Sequence, residues 1–301
     1  MQKNQIYPYV AVLIGVISVS TAAVLVKLAT DAPAAIIANY RLLLAVLIML
    51  PFILLKKRVE LTRLTKRDWI FTSLAGISLA LHFIFWFESL NYTSVASSVV
   101  LVTLQPIFAF IGTYLFFKER FSAGAVISMI IAIFGSTIIA WGDFRVDEEA
   151  LFGDILAIIG AVMITIYFLF GQTVRKTMSV MSYTFVVYGI GALTLLVYNL
   201  IIQNEFTGYD SDHWLIFLAL AIIPTFFGHT LFNWAIRWVS TSIISMGIIF
   251  EPVGASILAY FILGEQISWS QWLGGTIVIF GLFLFIASTR RKRKMKLTIS
   301  S

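Results

Sequence analysis

The chain has no cysteine and only three histidines, and 12% of its 301 residues are charged. Without cysteine it can form neither disulfides nor thiolate metal sites, and it has no cysteine nucleophile. The sequence also lacks the phosphate-binding pattern G-x-x-x-x-G-K-[ST] and the zinc-binding pattern H-E-x-x-H. We therefore expect neither ATP hydrolysis nor a metal or other cofactor.

What the chain has instead is apolar sequence, with 60% hydrophobic residues and a mean hydropathy of +0.95. Soluble domains are usually ~45–50% apolar and ~25% charged, so lipid is the expected solvent. A spanning helix needs ~20 mainly apolar residues, whereas a membrane barrel strand needs only ~9–11. The fold class predicted is an all-α integral membrane protein with ten transmembrane helices. The ten segments are 8–28, 33–55, 69–90, 95–117, 122–141, 153–173, 181–202, 213–236, 241–262 and 270–288.

Charge in the connections predicts the orientation, because cytoplasmic loops are rich in Lys and Arg. If ten helices alternate, 18 of the 21 basic residues fall on one side, here called the basic face. They are Lys3, Lys56, Lys57, Arg58, Arg63, Lys66, Arg67, Lys118, Arg120, Arg175, Lys176, Arg237, Arg290, Arg291, Lys292, Arg293, Lys294 and Lys296. The connections on the opposite, acidic face carry mostly Asp and Glu. Both termini are therefore expected in the cytoplasm.

The basic tail, residues 290–296, anchors the last helix at anionic lipid headgroups on this interpretation. A nucleic-acid partner is not expected, because no nucleic-acid-binding fold or aromatic platform accompanies the tail.

The chain contains an internal repeat with an offset of 146 residues. The stretch "QPIFAFIGTYLFFKERFS" (105–122) matches "EPVGASILAYFILGEQIS" (251–268). We therefore divide one membrane domain into halves of five helices, residues 1–147 and 148–301. An odd number of helices per half gives the halves opposite orientations, and inverted repeats are typical of secondary transporters. A duplication that only built a stable bundle, or a channel, is the alternative.

Motifs in both halves resemble a known family. Each half carries a proline followed by an "L-G-E-x-x-S"-like pattern, ending at Glu119 and Ser122 in the first half and at Glu265 and Ser268 in the second. "GDILAIIGAVMITIYFLFGQTVRK" (153–176) and "NYRLLLA" (39–45) complete the match. The chain resembles the EamA-like transporters of the drug/metabolite transporter superfamily, although Lys118 replaces a frequent glycine.

The resemblance implies a multi-pass carrier of the cytoplasmic membrane. Most members export amino acids, related metabolites or drugs, and some relatives exchange nucleotide sugars or sugar phosphates. A small-molecule substrate and the lipid bilayer are the partners implied.

Ionisable groups inside membrane helices are rare and are functional-site candidates by default. Glu251 lies about ten residues into its segment, ~15 Å deep. Its counterpart in the first half is the uncharged Gln105. We interpret Glu251 as a residue for substrate binding or proton coupling, with a protonated, structural carboxyl as the alternative.

The other candidates are polar or aromatic side chains within the helices. His229 and Asn233 are four residues apart and share a helix face, as do His82 and Trp86. Arg41 is suited to binding a carboxylate or phosphate, or to holding the fold. The histidines can equally form structural hydrogen bonds. Tyr167 and Trp234 are further candidates for lining or gating the cavity.

The function predicted is a secondary transporter that exports small metabolites, such as amino acids, related compounds or drugs, by alternating access. A membrane-embedded enzyme or a non-catalytic membrane subunit is the alternative. We do not expect an enzyme, because catalysis needs several polar groups at one depth and only the surroundings of Glu251 and His229 offer them. The sequence leaves open whether the protein is a monomer or a homodimer.

Overall fold

The computed structural model describes residues 6–29, 31–93, 95–141, 148–264 and 266–299. Within these residues the chain forms ten helical elements, here α1 to α10, and no β-strand. They are α1 (Tyr7–Val19 and Ala22–Leu28), α2 (Ala34–Phe52, Ile53–Lys57 and Arg58–Thr62), α3 (Lys66–Ser89), α4 (Val95–Val102 and Gln105–Phe117), α5 (Ala123–Ile139), α6 (Glu148–Val174), α7 (Val180–Ile201), α8 (Ser211–Leu220, Ala221–Thr230 and Leu231–Ala235), α9 (Thr241–Ile248 and Glu251–Leu263) and α10 (Trp269–Ile299).

The predicted all-α membrane architecture is confirmed. In the described part of the chain, nine helices are long and apolar enough to cross a bilayer. The tenth, α5, is an apolar helix of only 17 residues. The largest differences from the predicted ends are in α2 and α10, which run on to Thr62 and Ile299. Lys, Arg and Glu are good helix formers, so a helix can continue past the end of its apolar stretch.

Polar caps fix several helix ends. Thr65 and Asp68 form a capping box at the start of α3, and Ser179 accepts a hydrogen bond from the Ser182 N–H at the start of α7. Such caps satisfy backbone N–H groups that have no partner within the helix.

Three helices are interrupted inside the membrane. The breaks lie at residues 20–21 in α1, 103–104 in α4 and 249–250 in α9. Those in α4 and α9 are related by the 146-residue offset, and each is followed by a proline, Pro106 or Pro252. Proline has no N–H to donate and crowds the preceding turn, so it favours an interruption there.

Two helices contain wider turns. The segments Ile53–Lys57 of α2 and Ala221–Thr230 of α8 are π-helical. Prolines lie just before the first segment, at Pro51, and within the second, at Pro224. A π-helical turn rotates the side chains that follow it relative to a regular helix.

The packing of the helices is pseudo-symmetric. Helix α3 packs along α6 as α8 packs along α1, and α7 packs on α3 as α2 packs on α8. The pairs α2–α7, α4–α9 and α5–α10 join equivalent helices of the two halves. Exchanging the halves therefore maps the packing onto itself, as inverted repeats require. The boundary predicted at 147/148 adjoins residues 142–147, outside the described residues, and stays a prediction.

Glycines allow the closest of these contacts. A Cβ atom on Gly135 of α5 would lie 2.7 Å from the Val278 nitrogen and 2.8 Å from the Gly274 carbonyl oxygen of α10. A backbone neighbour cannot move aside as a side chain can, so only glycine fits at this crossing. Gly135 and Gly274 thus allow α5 and α10 to approach each other closely.

We expect Gly135→Ala to destabilise the protein by about 1–3 kcal/mol, because overpacking forces the two helices apart. The matched control is Gly189→Ala in α7, where a Cβ atom meets nothing within 4 Å. There, alanine should be neutral or stabilising by about 0.5–1 kcal/mol. Thermal unfolding of the detergent-purified variants measures both effects. An equal melting temperature for the two variants would contradict the close α5–α10 contact.

Candidate functional site

A small cavity lies between the two halves and contains the candidate site. Seven helices contribute to its wall, and α5, α7 and α10 contribute no described residue. The lining residues are Val19, Ala22, Arg41, His82, Trp86, Val102, Gln105, Ile164, His229, Phe232, Ile248 and Glu251. The cavity volume of about 30 Å³ holds roughly one or two water molecules. Small-molecule sites usually enclose ~300 Å³ or more, so the cavity is too small for a metabolite in this structure.

The interrupted helices surround this cavity. In each of α1, α4 and α9, the residues on either side of the break line it. Pro106 and Pro252 cannot donate to the carbonyl groups of Val102 and Ile248, four residues earlier. Both carbonyls therefore lose their helical donor beside the cavity, one in each half. Irregular backbone inside a membrane is tolerated where it is buried in protein or lines such a cavity.

Gln105 and Glu251 occupy equivalent positions, but their surroundings differ. The Gln105 Nε2 atom donates to Ser245 Oγ at 2.9 Å, which joins α4 to α9. The position equivalent to Ser245 in the first half is Val99, which has no hydroxyl. Accordingly, the buried Glu251 carboxyl makes no hydrogen bond or ion pair with the described residues. The inverted repeat thus provides a partner for the amide and none for the acid.

Arg41 is almost fully buried, with 1% of its surface exposed. Its Nε donates to Thr225 Oγ1 at 2.8 Å, and its guanidinium lies 4.5 Å from the centre of the Phe83 ring. Nη1 has no hydrogen-bond partner. Arg41 and Glu251 interact electrostatically across the cavity, although no ion pair of 4.0 Å or less joins them in the described chain.

His82 and Trp86 stack on each other, with ring centres 5.5 Å apart. His82 Nδ1 lies 3.0 Å from the Gly160 carbonyl oxygen in α6. A carbonyl can only accept, so Nδ1 carries the hydrogen and Nε2 is the acceptor of the neutral ring. The Trp86 Nε1–H is buried and has no acceptor.

His229 lies at the end of the π-helical segment of α8, and its Nδ1 is buried without a partner. Asn233 does not line the cavity. Its side-chain amide donates to the His229 carbonyl at 2.7 Å and to the Tyr167 hydroxyl. Of these two residues, which are predicted to share a helix face, only His229 lines the cavity. Tyr167 lies behind His229, with ring centres 6.0 Å apart, whereas Trp234 packs on Trp238, 4.6 Å between centres.

The structure therefore brings six of the nine candidates to one cavity, namely Arg41, His82, Trp86, Gln105, His229 and Glu251. Their roles remain a prediction. Sequence reasoning missed Thr225, Ser245 and Phe83, which contact these candidates. Thr225 follows Pro224, but contacts within a π-helical segment do not follow the 3.6-residue spacing used to read helix faces. Within the described ranges, no three His, Cys, Asp or Glu side chains are grouped to hold a metal ion.

Comparison with known proteins agrees with this architecture. The sequence profile of the EamA-like transporter family matches residues 6–141 and again residues 151–287. The two matches cover the two five-helix halves. The chain belongs to the EamA-like transporter family and is a membrane transporter.

Relatives extend over most of the chain. It is 26% identical over 237 residues to the uncharacterized transporter YxxF of Bacillus subtilis, covering 78% of this chain and 74% of that protein. An uncharacterized transporter of Clostridium kluyveri is 23% identical over 261 residues, 84% of each chain. A solved crystal structure with 17% sequence identity superimposes with a TM-score of 0.76, over 95% of this chain and 97% of that chain. At this identity the likeness shows the fold alone.

The contrast between Gln105 and Glu251 generates a prediction about stability. Gln105→Leu should lower the free energy of unfolding by about 0.5–2 kcal/mol, because it removes the hydrogen bond to Ser245. Glu251→Gln should leave stability unchanged or raise it, because it replaces an unpartnered buried acid with a neutral amide. Thermal unfolding of both purified variants measures the difference. A larger loss in Glu251→Gln than in Gln105→Leu would mean that Glu251 holds the fold.

Proposed function

We propose that this protein exports small polar or amphipathic metabolites, such as amino acids or related compounds, by alternating access of the central cavity. The observation that carries the proposal is the position of the cavity, which is lined by polar residues of both inverted halves at their interface. Three of its buried polar atoms have no partner: Arg41 Nη1, Trp86 Nε1 and His229 Nδ1. Buried polar groups are normally satisfied, so such a group of exceptions favours a ligand or water site.

Contacts between the halves close the cavity towards the basic face. At the ends of α4 and α9, Ser240 Oγ donates to the Glu119 carboxylate at 2.9 Å and Ser242 Oγ lies 3.4 Å from it. Between α2 and α7, the Glu60 carboxylate accepts from the Ser179 backbone N–H at 2.7 Å and from its hydroxyl at 2.8 Å. We call these the basic-face contacts.

A second group of contacts joins the halves at the acidic face. Thr93 Oγ1 and Ser97 Oγ donate to Asp154 Oδ1 at 2.8 and 3.0 Å. The Tyr40 hydroxyl donates to the Phe206 carbonyl at 2.5 Å. With both groups formed, neither face is open, which fits the small cavity volume. In the proposed cycle one group breaks while the other stays formed, so that the cavity opens to one face at a time.

Localisation and orientation complete the proposal. The protein lies in the cytoplasmic membrane, and its basic face and both termini are on the cytoplasmic side. The substrate enters from the basic face and leaves at the acidic face. The proposed function includes no catalytic reaction, and it applies to a monomer or to each protomer of a homodimer.

We also propose that Glu251 couples transport to the proton gradient. An isolated carboxyl in a membrane can bind and release a proton when the cavity opens to water on either side. The other ionisable side chains that face this space are His82, His229 and Arg41.

Labelling from each side of the membrane tests alternating access. The chain has no cysteine, so Ala22→Cys in the cavity wall gives a single reporter for a membrane-impermeant maleimide. Combining Glu119→Ala with Ser240→Ala should increase labelling from the basic face several-fold, because it removes the contact between α4 and α9. Asp154→Ala should increase labelling from the acidic face instead.

The matched control for this experiment is Glu149→Ala, which removes an exposed acid of α6. It should change labelling from neither face. Increased labelling from the same face in both sets of variants would refute the alternating assignment of the two contact groups.

Export and coupling are tested together in cells. Overproduction should enrich the medium in a specific set of metabolites, and collapsing the pH gradient should slow their release. Glu251→Gln should make the release insensitive to the gradient, because an amide cannot exchange a proton. An unchanged medium would refute export, whereas gradient-dependent release by Glu251→Gln would refute only the coupling.

A further inference from the structure

Arg41 is a buried cation whose partners within the protein are incomplete. A guanidinium keeps its charge in proteins, and a charged side chain in a membrane helix is costly. The Phe83 ring covers one side of the group, and Thr225 accepts from Nε. No carboxylate pairs with it in the described residues, and Nη1 remains without an acceptor. The protein thus positions Arg41 at the cavity wall and leaves part of its hydrogen-bonding capacity unused.

The Thr225 side chain determines which hydrogen-bond donors of the Arg41 guanidinium are free for a ligand. Its hydroxyl donates to the Leu220 carbonyl, five residues earlier, at 2.8 Å. This bond lies across the start of the π-helical segment of α8 and uses the only hydrogen of the hydroxyl. The Thr225 hydroxyl oxygen therefore accepts a hydrogen bond from Arg41. This 2.8 Å bond from Arg41 Nε fixes the plane of the guanidinium group. With Nε occupied, the Nη groups are the donors left for a ligand.

A second unsatisfied donor lines the same cavity. The buried Trp86 Nε1–H has no acceptor, and the stacked His82 holds its ring in place at 5.5 Å. Two N–H donors of this kind, one of them charged, match the acceptor oxygens of an anion. A carboxylate is the favoured group because it is planar, as a guanidinium is, and carries one charge against one arginine. The remaining wall combines apolar residues, among them Phe232, Ile164 and Val19, with the polar side chains of His82, Gln105, His229 and Glu251.

We propose that the transported compound carries a carboxylate that binds Arg41 and Trp86, and that Thr225 is the positioning residue for Arg41. This inference rests on the proposed function, since it assigns the substrate class of the same cavity. It explains why an arginine lies in the wall of a cavity that otherwise has few charges. The inference also gives a role to the π-helical segment of α8. In this segment the Thr225 hydroxyl donates its hydrogen to the Leu220 carbonyl, so that its oxygen accepts from Arg41.

The experiment compares the metabolites released by cells that produce the wild-type protein or one of five variants at matched membrane abundance. The compounds enriched by the wild type should be carboxylates. Arg41→Gln should abolish their release, and Trp86→Phe should reduce it several-fold. The matched control Arg237→Gln, which changes an exposed arginine outside the cavity, should leave release unchanged. The fourth variant, Thr225→Val, keeps the charge of Arg41 and should raise the intracellular concentration needed for half-maximal release about five- to tenfold.

Thr225→Ser separates positioning from folding. It retains the hydroxyl and should restore release to near the wild-type level, even if Arg41→Gln fails to reach the membrane. Release of compounds without an anionic group, or equal release by the wild type and Thr225→Val, would overturn the inference while leaving export intact. If the wild type itself enriched nothing in the medium, the proposed function would fail first.

Discussion

A bilayer offers no water to a buried polar atom, so the polar side chains around the cavity depend on partners inside the protein or on a ligand. Two of them have protein partners: Gln105 bonds to Ser245, and His82 to the Gly160 carbonyl. Arg41 Nη1, Trp86 Nε1 and His229 Nδ1 have none in the described residues. In a soluble protein, water could satisfy such atoms at little cost. On the proposed function, a ligand replaces that missing solvent.

The inverted repeat allows cavity side chains with and without protein partners to be compared at equivalent positions of the two halves. Around the breaks in α4 and α9 the two halves have equivalent backbone, and a proline follows each break. The break in α1 and the π-helical segments of α2 and α8 have no such counterpart in the other half. Where side chains differ at equivalent positions around these breaks, the backbone conformation does not explain the difference. Gln105 and Glu251 differ in this way, and so do Ser245 and Val99. The two halves thus differ where the carboxyl lies, although the break and the proline after it are present in both.

The sequence was sufficient to predict the ten helices, because a run of ~20 apolar residues has few other uses. It was also sufficient for the repeat, since an offset of 146 residues aligns Pro106 with Pro252. The π-helical segment of α8 was beyond reach, because its turns depart from the spacing on which helix faces are read. That segment sets Thr225 against Arg41, so the partner of the arginine was missed.

Which candidates share the cavity was only partly predictable. Depth along a helix can be counted from the sequence, and it placed Glu251 and His229 at similar levels. The rotation of each helix about its axis depends on packing against its neighbours, which a single sequence does not specify. Trp234 illustrates the limit. It packs on Trp238 and, like its neighbour Asn233, does not line the cavity.

The contacts that join the two halves on either side of the cavity bear on the direction of transport. Different residues join the halves at the two faces, in each case a carboxylate that accepts from hydroxyl groups: Glu119 with serines at one face, and Asp154 with Thr93 and Ser97 at the other. Unequal contacts make the two open states unequally populated, but a difference in population gives no net direction to transport. A ligand shifts such an equilibrium only by its differential affinity for the two states. Direction must therefore come from a gradient, of the substrate itself or of an ion bound in the cavity. In the described chain, Glu251 and the two cavity histidines are the groups through which a proton gradient can act.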